Sequence, residues 1–214
     1  MNRAALRDEW SALWRRLGAM GDAEHVFLDL EERYSEAGRA YHNLAHIAHC
    51  LDELRGYPGD GADIGAIEFA LWFHDAVYDP RAKDNEERSA ELAREAAATA
   101  GMTAEFSNHV ADLILATKHA STPDTEDANL IVDIDLSILG QPEAVFNRYE
   151  REIRREYAWV PEEDFVRGRS RVLEAFTSRP SIYRTAFFRA KYESTARANL
   201  TRSIIQLSSR LSSR

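Results

Sequence analysis

The chain has 214 residues, 44% hydrophobic and 29% charged, as expected of one globular domain with enough apolar material for a sizeable core. That balance excludes a disordered chain, and no apolar run approaches the roughly 18 residues of a membrane span. A formal net charge of −9 argues against a nucleic acid polymer as partner.

Helical periodicity runs through almost the whole sequence. The first expected helix, 2–18, puts Leu6, Trp10, Leu13, Trp14 and Leu17 on one stripe. It lacks the apolar h-region of a signal peptide, so secretion is not expected. Helices follow at 22–37 and 43–55. The breaker "GYPGDG" at 56–61 then precedes a helix at 62–77, which carries Ile67, Ala70, Leu71 and Phe73 and ends on His74 and Asp75. "YDPRAKD" at 78–84 separates it from 84–100, where Asp84 and Glu87 have the spacing of a capping box. The next helix is 103–118, and "STPDTED" at 121–127 leads into 127–138. There the apolar positions Leu130, Ile131, Ile134, Leu136, Ile138 and Leu139 do not alternate, which favours a short helix over a strand. Helices at 142–158, 161–178 and 185–211 complete the chain. No repeat or linker divides it, so the expectation is one all-α domain of nine to ten helices.

Charge is unevenly spread. Residues 1–147 hold 12 Lys and Arg against 28 Asp and Glu, whereas residues 148–214 hold 15 against 8. A basic C-terminal third can attract an anionic substrate or pair with the acidic remainder. The lone cysteine, Cys50, excludes an internal disulfide and a cysteine-based zinc cluster, and a reducing cytoplasm is the default location.

Three of seven histidines fall in "RAYHNLAHIAHC": His42, His46 and His49, at spacings that share one face of a helix. His74 and Asp75 end an apolar helix, and Asp133 and Asp135 sit inside an apolar run. A single histidine on a helix face is more often a packing residue than a ligand. Carboxylates in two strongly apolar segments are costly to bury unless a cation meets them, and with imidazoles available a shared metal is implied. Imidazole and carboxylate suit several divalent metals. His25 and His109 read as structural. No H-E-x-x-H, E-x-x-H, G-x-S-x-G or phosphate-loop motif occurs, and "GDGADIG" is a turn.

The ordered pattern His46, His74-Asp75, Asp135 resembles the HD superfamily of metal-dependent phosphohydrolases, an all-helical group. The blocks "RAYHNLAHI", "WFHDAVYDP", "DNEERSAELA", "ATKHA", "DIDLSILG", "REIRREY" and "ESTARANL" are similar to a bacterial subgroup of predicted metal-dependent HD phosphohydrolases. Some members of that subgroup carry a label likening them to a glutamate-receptor subunit. "YHNLAH" and "DLS" also resemble motifs of cyclic-nucleotide phosphodiesterases.

The resemblance implies a single HD-type domain, 1–214, with a metal-site core at about 39–140 and a C-terminal helical part at about 142–214 packed on it. It implies His46, His74, Asp75 and Asp135 as metal ligands, with Asp135 preferred to Asp133 for its "DLS" context. His42 matches the histidine that protonates the leaving oxygen, and as the i−4 neighbour of His46 it would lie about 6 Å away on the same helix face. His49 has no matched role. Binuclear relatives add histidines before the last aspartate. Here only His109 and His119 are available, about 15 Å apart if one helix carries both, so one divalent ion (Mn, Fe, Zn, Ni, Co or Mg) is expected. His119, Arg154 and Arg169 are candidates for binding substrate, the two arginines alternatively for anchoring loops. Asp79 and Glu86 are candidates for helping activate water. The expected activity is hydrolysis of a small phosphate ester, nucleotides foremost. The alternatives are an HD-shell regulator with little catalysis and an iron-dependent HD oxygenase.

Overall fold

A computed structural model of the chain describes residues 2–119 and 125–212, with side chains to residue 210. Ten α-helices and one 3-10 turn make up its regular structure, with no strand among the described residues. They fall into two compact units, Met1–Val132 and Asp133–Arg214. The boundary lies inside a helix.

The first unit holds α1 (Arg3–Arg16), α2 (Ala23–Tyr34), α3 (Leu44–Arg55), α4 (Ile64–Phe73), α5 (Asn85–Thr99), α6 (Ala104–Ala116) and most of α7 (Glu126–Asp135). Its centre is α4, "IGAIEFALWF", apolar on all sides because it is covered on all sides: every residue from Ala66 to Phe73 is buried. The indole of Trp10 on α1 packs on Trp14, Phe69, Trp72 and Phe73, and its Nε1–H donates to the Ala23 carbonyl at 2.8 Å. The one acid on α4, Glu68, is met by Arg16, although burial still raises its pKa.

The second unit holds the 3-10 turn Leu136–Gly140, α8 (Glu143–Glu156), α9 (Glu162–Thr177) and α10 (Ala186–Ser212). Buried polar ties fix it. Tyr183 donates to the Leu136 carbonyl at 3.0 Å, and the Asn199 amide donates to the carbonyls of Leu139 and Gln141 at 2.9 and 2.8 Å. Gly140 lies against Tyr192, where a Cβ would come within 2.4 Å of the tyrosine side chain, so only glycine fits.

Helix ends match the expected ones to within a few residues, with two physical differences. Asp84 stands at the N-cap of α5 without a capping bond, and Glu87 pairs with Lys118 instead of closing a capping box. Helix α4 stops at Phe73, well short of 77, which places His74 and Asp75 in a turn.

Candidate metal centre

The centre is assembled by the start of α3 and the end of α4. Asn43 caps α3 in extended backbone: its side-chain oxygen accepts from Ala45 N at 2.8 Å, and its amide donates to the Ala40 carbonyl at 2.9 Å. His46 therefore falls in the first turn of α3 and Cys50 one turn later. At the other end, nothing in the sequence His74-Asp75-Ala76-Val77 stops a helix. The stop is tertiary. Tyr34 donates its hydroxyl to the Trp72 carbonyl at 2.9 Å, and the Arg39 guanidinium donates to the carbonyls of Asp75 and Ala76 at 2.6 and 3.0 Å. The same guanidinium reaches the His42 carbonyl at 3.3 Å and so joins both segments.

This frame brings donor atoms face to face. His74 Nδ1–H donates to the Leu71 carbonyl at 2.9 Å, which leaves a lone pair on Nε2 of the neutral ring. That Nε2 lies 3.1 Å from His46 Nε2 and 3.2 Å from Asp75 Oδ2, and His46 Nε2 is 3.5 Å from the same oxygen. Cys50 Sγ sits 3.7 Å from His46 Nε2 and 3.8 Å from its Nδ1. The candidate ligand atoms of His46, Cys50 and His74 all lie within 4.8 Å of one another.

Both histidine side chains are sealed from solvent, whereas that of Asp75 is 19% exposed, which makes its carboxylate the donor that water reaches. Burial would raise the Asp75 carboxyl, but the imidazoles of His74, His42 and His46 hold it well below the usual carboxylate range. Imidazole nitrogens, a carboxylate and a thiol converging in a buried space form a donor set that could hold a metal ion.

The other expected site residues are placed as follows. His42 is not on α3: it lies in the bend before Asn43, so the shared-helix-face argument fails. The bend nonetheless brings its ring 6.1 Å from that of His46, stacked on Tyr78 at 4.2 Å and edge-on to Tyr41 at 5.0 Å. Asp133 and Asp135 belong to the second unit. The buried Asp133 carboxylate accepts from Arg184 N, Thr185 N and Thr185 Oγ1 at 2.7–3.0 Å, which commits it to the start of α10. Asp135 is the last residue of α7 and half-buried.

Asp79 is exposed. Its Oδ1 accepts from Arg81 N at 2.9 Å and its backbone is clasped by the Asn85 amide, so it shapes the loop before α5. Glu86 is half-buried in the first turn of α5. His119 follows α6 with a positive φ of 55°, so no single helix carries both it and His109. His109 instead bonds the Asp127 carboxylate at 2.9 Å, a partner that its own segment did not reveal. Arg154 anchors the α8–α9 connection: it donates to the Tyr157 and Val160 carbonyls and pairs with Glu162. Arg169 is paired with Glu150 and donates to the Tyr149 hydroxyl.

Three participants were not anticipated from the residues: Cys50, Arg39 and Tyr78. Cys50 carried a signal, the i+4 spacing from His46. Arg39 and Tyr78 carried none, because burial of an arginine and stacking across two loops are tertiary outcomes. Compared with family models, with curated proteins and with solved structures, the chain matches none.

Proposed function

We propose that this chain is an HD-type, metal-dependent phosphohydrolase acting on a small phosphate ester, with nucleotides the first class to try. The observation that carries the reading is the convergence of His74 Nε2, His46 Nε2 and the Asp75 carboxylate, 3.1–3.5 Å from one another, in a nearly sealed space. His46, His74 and Asp75 would hold one divalent ion together with the Cys50 thiolate beside them, with Asp135 as a further carboxylate from the end of α7. Once bound, such an ion supplies Lewis acidity that makes water nucleophilic near neutral pH and offsets charge on a phosphoryl oxygen. Leu71, through its carbonyl, keeps His74 in the ligating tautomer. His42, held between Tyr41 and Tyr78, carries the proton for the leaving oxygen. Asp79 is occupied with its loop, so we assign orientation of the attacking water to Glu86.

The test is elemental analysis of the purified chain together with phosphate release from a nucleotide panel after reconstitution with single metals. Near-stoichiometric metal and turnover are expected. His74→Ala should lose both, and His42→Ala should keep the metal while turnover falls about 10²-fold or more. A wild-type chain that binds no metal overturns the proposal. Metal without turnover on any phosphate moves the reading to the regulator, and two irons per chain to the oxygenase.

A further inference from the structure

Within the second unit, α8 and α10, with Phe165 of α9, line a half-open cavity of about 470 Å³, inside the size range of small-molecule sites. Arg151 and Arg155 from α8 and Arg210 from α10 line it, flanked by the amides of Asn147 and Gln206. The apolar wall is Phe165 and Leu207. The one carboxylate in the lining, Glu150, is spent elsewhere: Oε1 pairs with Arg169 and Oε2 accepts from Ser203 Oγ at 2.8 Å. Arg154, also in the lining, is consumed by Glu162 and two carbonyls.

Arg151 and Arg155 are different. Both are exposed, and neither guanidinium makes an ion pair or hydrogen bond among the described residues. They stand at i,i+4 on one helix face, where like charges repel. Arg210 makes only a long contact, 3.4 Å, to a Glu162 already held by Arg154. Two unpaired guanidiniums and a loosely held third along one half-open cavity, whose one lining acid is internally neutralised, leave a positive potential that an anion would relieve.

We propose that this cavity of the second unit binds a small ligand carrying several phosphate charges, independently of the function assigned to the metal centre. Arginine forks bind phosphate oxygens bidentately, and the Asn147 and Gln206 amides add neutral hydrogen-bonding groups at the rim.

The test is calorimetric titration of inorganic tripolyphosphate into the full chain with chelator present, so that no metal contributes. One saturable site is expected. The double variant Arg151→Gln/Arg155→Gln should weaken it about tenfold or more. Arg148→Gln/Arg171→Gln removes the same charge outside the cavity lining and should leave affinity near wild type, as should His74→Ala. Absence of saturable binding overturns the proposal, as does equal loss in both arginine doubles, which would mean bulk charge alone. Loss in His74→Ala would assign the anion to the other centre. Failure here leaves the proposed phosphohydrolase untouched, because that reading is tested by metal content and turnover.

Discussion

A guanidinium whose side chain is only 3% exposed is an expensive group to bury, and Arg39 has a single carboxylate partner, Glu36, at its rim. Its remaining donors go to the carbonyls of His42, Asp75 and Ala76. Arg39→Ala would leave those carbonyls unmet and is expected to cost about 3 kcal/mol in urea unfolding. Arg39→Lys should recover little, because one ammonium cannot span carbonyls on two segments. Cys50 makes a second residue-scale prediction. With cobalt(II) loaded, the wild-type chain should show near-ultraviolet thiolate-to-metal absorption and Cys50→Ser should not. A spectrum unchanged by the substitution would assign Cys50 to packing against His46.

The helices themselves were legible in the sequence because many of their ends are punctuated by local chemistry. Asn43, Asp22, Asp63 and Thr103 each cap a helix with their own side chains. Where local chemistry was silent, the reading ran on, as at the end of α4. Asp133 and Asp135 show the same limit: two residues apart near the end of one helix, they were ranked only by the "DLS" context of Asp135, and the bonds to Arg184 and Thr185 show where Asp133 is spent. Asp133→Ala should therefore cost about 2 kcal/mol or more by freeing the start of α10, with metal content unchanged. Asp135→Ala should do the reverse, keeping the fold and losing metal, as elemental analysis and thermal unfolding of the two variants would report. Equal metal loss in both would remove this distinction.

Across the whole molecule, charge separates by unit: residues 1–132 carry a net −13 and residues 133–214 a net +4. The acid branch of stability has an identifiable contributor in the second unit. Glu193 accepts from Ile182 N, Tyr183 N, Ser181 Oγ and Arg197 Nε. Burial would raise its pKa, but these donors outweigh burial and hold it below the ordinary value of 4.5. A carboxylate with a lowered folded pKa favours the folded state fully above its unfolded pKa. That contribution is lost as pH falls through the folded value. Unfolding followed from pH 6 to pH 3 should show Glu193→Gln less stable than wild type at the upper end. The two should converge towards the lower end, and parallel curves would rule out this role.

The sequence by itself determined the all-helical class and nearly every helix boundary, because periodicity and caps are properties of neighbours along the chain. Tertiary structure alone decided where α4 ends, which aspartate is spent on α10, and that His74 and Asp75 meet the α3 pair His46 and Cys50. Each of those depends on partners distant in sequence: Tyr34 and Arg39 for the helix end, Arg184 and Thr185 for Asp133, His74 and Asp75 for the cluster. A buried polar atom must find its partner wherever the fold supplies one, and spacing along the chain does not say where that is.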